Sequence, residues 1–196
     1  SAISSAENIA ARAARAAEVA AAHANAVDAQ SRFPTEAMDA LKAENLLGIM
    51  VPASLGGEEA SVADVVDVCY TLGRACSSTG MIYAMHQVKA ACIVYHGMDS
   101  AWHRDFMSRM VADQLLLASS TTEGKGGGNV RSSEAAVDQT GGRIVLVRDA
   151  SVISYGAQAD AVVTTARRAA ESDASDQVLV VFEKKNYALE VTGGWD

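Results

Sequence analysis

From Ser119 to Asn129 the chain reads Ser-Ser-Thr-Thr-Glu-Gly-Lys-Gly-Gly-Gly-Asn, small hydroxyl residues running into a glycine-rich stretch. Hydroxyl side chains and exposed backbone N–H groups are compact neutral donors, able to address the polar edge of a ligand without filling the space it needs. The Gly124-Lys125 pair invites comparison with a phosphate-cradling loop. Such a loop requires a glycine five residues before the pair and Ser or Thr after it, where this chain has Ser119 and Gly126. Phosphate binding of that type is excluded, and on its own the glycine run reads as a turn.

Other side chains capable of chemistry are scattered. His86 falls inside an apolar helical pattern, where a hydrogen-bonded core or interface histidine is the plain reading. His96 precedes Gly97, a place suited to a helix C-terminus. Cys69, Cys76 and Cys92 show no CxxC spacing and no histidine cluster, so no metal site is expected. They read as buried free thiols in a reducing compartment.

Composition narrows the partners. The formal net charge is −8 and no Lys/Arg run offsets it, which disfavours nucleic acid and anionic membrane surfaces. A hydrophobic fraction of 49% with 20% charged residues is that of a globular protein. No apolar run approaches the ~20 residues of a membrane span. A cytoplasmic protein is expected.

The elements that would hold these residues fall into two halves. Residues 4 to 30 are alanine-rich with interspersed charges and predict a helix on the outside of the fold. Pro34 opens a second helix that Gly48 should stop. Ser61 and Asp64 form a capping-box start, with Val62, Val65, Val66, Cys69 and Leu72 behind it on one face. Ser77 and Ser78 are expected to cap the next helix, which runs to His96. Its stripe of Met81, Met85, Val88, Cys92 and Tyr95, with Ile82, Ala90 and Ile93 on another side, predicts a central, buried helix. Another helix spans Ser100 to Val111. After residue 112 an extended run begins at Leu115–Leu117, and short β-branched runs follow at Ile144–Val147, Ala161–Thr165 and Val178–Phe182, with Gly141-Gly142 as a hairpin turn. The expected fold is α+β, an all-α helical domain (1–112) followed by a partial antiparallel β-barrel or sheet domain (113–196).

Several stretches, in order, resemble the acyl-CoA dehydrogenase family. Phe33-Pro34, Leu46-Leu47-Gly48-Ile49 and Val51-Pro52 to Gly56-Gly57 are similar to its amino-terminal run, and Ser78 to His86 with Gly97 to its following helices. Thr122 to Asn129 resembles its "TEPGAGSD" segment. Val152-Ile153-Ser154-Tyr155-Gly156 with Ala159-Asp160 resembles "WITNG…AD".

The resemblance implies an FAD-dependent oxidoreductase that desaturates an acyl-CoA thioester, passing electrons to an electron-transfer flavoprotein or another acceptor. It assigns Ser119, Thr121 and Thr122 to the pyrimidine side of the flavin, and Val152, Ile153 and Ser154 to the segment pressing on the ring. Gly127, Gly128 and Asn129 would approach flavin and acyl-CoA, and His86 would stand near substrate. Glu123 is implied to be structural. The family's catalytic carboxylate belongs to a carboxy-terminal helical domain, so no catalytic base is expected in this chain, and the complete protein would be a homo-oligomer.

Four positions depart from the family pattern: Gly124 for Pro, Gly128 for Ser, Asn129 for Asp and Val152 for the aromatic residue. Those at Gly128 and Val152 keep open a flavin-dependent monooxygenase of the same fold. The end at Trp195-Asp196, with no closing strand, leads to the expectation of a fragment, and with it a non-catalytic interaction module as a reading of another class.

Overall fold

The computed structural model describes residues 2–123 and 131–193, which divide into two compact units. One comprises the residues up to Leu116 together with those from Glu190 on, and the other spans Leu117–Leu189.

The first unit is helical: α1 (Ala2–Ala29), α2 (Thr35–Ala43), α3 (Val62–Ala75), α4 (Ser77–His96) and α5 (Ala101–Ala112). The long alanine helix does more than cover the outside. Ala13, Ala16, Ala20 and Val27 bury one of its faces, and the small side chains let α2 and α3 pack closely against it. Helix α3 starts at the Ser61–Asp64 capping box, each side chain accepting from the other residue's backbone N–H. The close of α4 at Gly97 follows the expectation.

Four local expectations are corrected. Helix α2 ends at Ala43, before Gly48. A Cβ at Gly48 would lie 2.8 Å from Val111 Cγ2, so this glycine serves the contact with α5 and not a helix stop. Neither Ser77 nor Ser78 caps α4; Cys76 takes the N-cap position with no side-chain hydrogen bond. On α3, Val65, Val68 and Leu72 face the core while Val62 and Val66 are exposed.

The fourth correction concerns α4. Its Met81, Val88 and Tyr95 are 62%, 59% and 66% exposed, and the buried side carries Ile82, Tyr83, His86, Gln87, Lys89, Ala90 and Ile93. Polar residues occupy the inner face because backbone there needs partners. The phenol of Tyr83 donates to the Leu46 carbonyl at 3.0 Å, and the Gln87 amide donates to Leu46 and Leu47. Gln114 accepts from Leu47 N–H at 3.0 Å. The turn after α2 is thereby satisfied by side chains, as buried backbone outside a ladder must be.

The second unit contains β1 (Leu117–Ser120), β2 (Asp138–Thr140), β3 (Arg143–Val145), β4 (Ala161–Arg167) and β5 (Gln177–Glu183). Strands β2 and β3 form a hairpin about Gly141 and Gly142, at φ +61° and +76°. Two successive residues of positive φ are what a turn matching the strand twist demands. Strands β1, β4 and β5 form a sheet in that order.

The α+β class stands, but the sheet is mixed. Strand β4 pairs antiparallel with β5 and parallel with β1, Ser119 lying beside Val163 and Ser120 beside Thr164. A parallel pair needs a long return connection, and the segment carrying the β2–β3 hairpin supplies it, with no helix among its described residues. Beneath β1 and β4, Ala118, Ala159 and Val162 form a small core with Ile153, Tyr155 and Tyr187 packed on it.

Candidate functional site

Strand β1 delivers the hydroxyl residues. Ser120 is buried, its Oγ without a hydrogen-bond partner among the described residues, while Ser119, Thr121 and Thr122 are half-buried. Just past the strand, Thr122 turns towards the segment preceding β4. Its Oγ1 lies 3.4 Å from the Val152 carbonyl oxygen and 3.4 Å from Ser151 Oγ. The two stretches singled out in the sequence, Ser119–Thr122 and Val152–Ser154, therefore meet within one unit.

Within the second stretch the side chains diverge. Val152 is 44% exposed, whereas Ile153 packs onto the core of Ala118, Ala159 and Val162. Gly156 allows this, since a Cβ there would come within 2.8 Å of Ile153 Cγ2. Ser154 is half-buried. Tyr155 adopts φ +45° and donates its hydroxyl to the Leu117 carbonyl at 2.9 Å, tying the segment back to β1. Burial pushes the Tyr155 phenol well above its ordinary range, so it stays a neutral donor.

Behind Thr122 sits an ion pair. Glu123 Oε1 and Arg148 Nη1 are 3.0 Å apart, with the side chains 10% and 7% exposed. The carboxylate also accepts from the backbone N–H groups of Glu134 at 2.6 Å and Ala135 at 3.0 Å. The Arg148 guanidinium donates to the carbonyls of Thr165 and, at 3.3 Å, Thr122. Burial lowers the Arg148 pKa and Glu123 opposes that, leaving a charge pair of zero net charge beside the hydroxyls. Arg148 carries no motif; an arginine directly after the apolar run Ile144–Val147 was the one available signal.

Gly127, Gly128 and Asn129 lie outside the described residues. His86 belongs to the helical unit, fully buried, with Nε2 2.8 Å from the Leu47 carbonyl oxygen. Among the described residues no group of three His, Cys, Asp or Glu could hold a metal ion, and no helix is long and apolar enough to cross a membrane.

The neutral hydroxyl groups of Ser119, Thr121 and Thr122, the exposed Val152 side chain and the Glu123–Arg148 ion pair thus lie within one unit.

Known proteins resemble this chain in sequence and in fold. The chain is 26% identical over 159 residues to cyclohex-1-ene-1-carbonyl-CoA dehydrogenase of Geobacter metallireducens, covering 81% of this chain and 42% of that protein. It is 29% identical over 102 residues to 3-sulfinopropanoyl-CoA desulfinase of Paraburkholderia xenovorans, covering 52% of this chain and 24% of the other. The chain thus spans less than half the length of these curated relatives. Among solved structures, FMN-bound TdsC from Paenibacillus sp. A11-2, a dibenzothiophene monooxygenase, shares the fold at a TM-score of 0.82 and 16% identity, over 96% of this chain and 47% of that one. Residues 5–114 match the acyl-CoA dehydrogenase N-terminal domain, more than half of the 196 residues, and the chain belongs to that family.

Proposed function

We propose that this chain supplies the flavin-facing wall of an FAD-dependent oxidoreductase of the acyl-CoA dehydrogenase type, acting on an acyl-CoA thioester. The observation that carries the reading is the approach of Thr122 Oγ1 to the Val152 carbonyl oxygen at 3.4 Å, which joins the two segments assigned to the flavin. The donor set fits the ring end of that cofactor: Ser119, Thr121, Thr122 and Ser154 are neutral, and the buried Ser120 hydroxyl has no described partner.

When bound, flavin supplies a hydride acceptor for the β-carbon of the thioester. The chain's own residues orient and bind. Ser119, Thr121 and Thr122 hold the polar edge of the ring with preorganised backbone and hydroxyl donors, which favour negative charge developing there. Val152 shields the ring face from water, and Ser154 stands as a hydroxyl donor beside it. Gly127, Gly128 and Asn129 complete the approach to cofactor and acyl-CoA. The α-proton is removed by a carboxylate outside this chain, and an electron-transfer flavoprotein or another acceptor takes the electrons. The complete protein is a cytoplasmic homo-oligomer, and residues 1–112 and 113–196 serve as its helical and β domains.

A second reading, a flavin-dependent monooxygenase, is favoured by Val152, which is aliphatic and 44% exposed where an aromatic residue would cover the ring. Likeness to TdsC supports the same reading. Visible spectra of the full-length protein, carrying the catalytic carboxylate, titrated with FAD, FMN and then a panel of acyl-CoAs separate the two. Flavin bands bleached by a thioester support the dehydrogenase. Bound flavin indifferent to thioesters, but consuming oxygen with an aromatic substrate when supplied reduced, supports the monooxygenase. Failure to bind either flavin sinks both and leaves a non-catalytic module.

A further inference from the structure

We propose that Arg148 and Glu123 are positioning residues for the flavin-facing wall, a buried ionic clamp that sets the Thr122 hydroxyl against the Val152 segment. The inference rests on the reading of Thr122 as a flavin-facing group and adds the residues that aim it.

Stability alone gives little reason for the pair. Both side chains are almost removed from water, at 7% and 10% exposure, and a buried ion pair seldom outperforms apolar residues of the same volume. What the pair provides is a single geometry. Glu123 uses Oε1 for Arg148 and Ala135 N–H, and Oε2 for Glu134 N–H. Arg148 reaches the Thr165 carbonyl, in the central strand β4, and the Thr122 carbonyl. One guanidinium–carboxylate unit thus gathers residues 122–123, 134–135 and strand β4.

Thr122 is held from both sides as a result. Its carbonyl is gripped by Arg148 Nη2 at 3.3 Å, and its hydroxyl faces Val152 O and Ser151 Oγ at 3.4 Å each. With the Thr122 peptide anchored by a charge-assisted contact, the position of its Cα is fixed, and the hydroxyl is set from there against Val152 O and Ser151 Oγ. The planar fork of arginine is suited to bridging a carboxylate and carbonyls at once, which a lysine ammonium does less well. Because the pair is net neutral, its effect on a ligand runs through position and not through added charge.

The test compares the full chain with Arg148→Met, Arg148→Lys and Glu123→Gln, using FAD and FMN as probes. Three quantities are read: flavin affinity, the absorption bands of the bound flavin at saturation, and amide hydrogen exchange at Glu134 and Ala135. Arg148→Met is expected to weaken flavin binding about tenfold, the scale of one lost charge-assisted contact, and to shift the bands of what still binds. Arg148→Lys should restore protection at Glu134 and Ala135 while recovering affinity only in part. Wild-type affinity and bands in folded Arg148→Met would overturn the clamp, whatever its melting temperature. If the wild-type chain binds no flavin, the functional reading fails separately. The clamp is then judged on nuclear Overhauser contacts between Thr122 and Val152, and their survival in Arg148→Met would overturn it too.

Discussion

The imidazole of His86 stands with Nε2 2.8 Å from the carbonyl oxygen of Leu47, inside a core where Tyr83 and Gln87 reach the neighbouring carbonyl of Leu46. Fully buried, it holds the turn after α2 against α4. Replacing it with alanine leaves the Leu47 carbonyl only the longer 3.3 Å contact from Gln87 and opens a void. His86→Ala should therefore lose about 2–4 kcal/mol of stability in urea unfolding, combining a weakened buried hydrogen bond with a cavity. Flavin affinity of the folded variant should remain at the wild-type level. A variant that keeps its stability but loses ligand binding would return His86 to the substrate site.

Helix α4 offers the sharpest contrast between sequence and structure. Its apolar stripe of Met81, Val88 and Tyr95 has the spacing of a buried seam, yet those residues are exposed. Val88→Lys should change unfolding free energy by no more than about 0.5 kcal/mol. Ile93→Ala, on the buried face, should cost about 2–5 kcal/mol. The opposite ranking would mean that the stripe is the true core face.

Periodicity identified α4 as a helix because any apolar repeat at 3.6 residues does so. It could not choose between two apolar faces, since the choice was made by Tyr83, His86 and Gln87 serving carbonyls of a distant turn. Ser61 and Asp64, by contrast, sit three residues apart, and their capping box was legible in full. The same division runs through the candidate site. Thr122 and Val152 were marked by the motifs around them, and Gly141-Gly142 announced its turn. Arg148 was missed because its partners are backbone carbonyls and a carboxylate far away in the chain. The parallel pairing of β1 with β4 was missed because strands with no helix-length pattern read between them were expected to pair antiparallel.

A pH signature lies at the start of α2. Two hydrogen bonds from Arg32, each 2.8 Å, hold the Glu36 carboxyl down at about 2, and His23 Nδ1 stands 3.5 Å from the same group. A folded-state pKa below the unfolded one means the contribution is fully present above the ordinary carboxylate range. It is lost as pH falls from there through about 2. Carbon-detected titration of Glu36 should show this low value, and Arg32→Gln should return the carboxyl towards its ordinary range. An unchanged titration in the variant would mean that Arg32 is not the cause.

Where α3 meets α4, two glycines face the same crossing with opposite requirements. A Cβ on Gly80 would come within 2.7 Å of Gly73 Cα and 2.9 Å of Gly73 N, both backbone atoms that no rotamer change can move. A Cβ on Gly73 would meet nothing within 4 Å. Gly80→Ala must therefore push the helices apart and should cost about 1–3 kcal/mol, the usual penalty of overpacking. Gly73→Ala removes only the entropic handicap of glycine within a helix and should stabilise by up to ~1 kcal/mol. Chemical unfolding of the two single variants reads both signs directly. If Gly73→Ala were destabilising as well, the helices would have to approach each other on a different face from the one described.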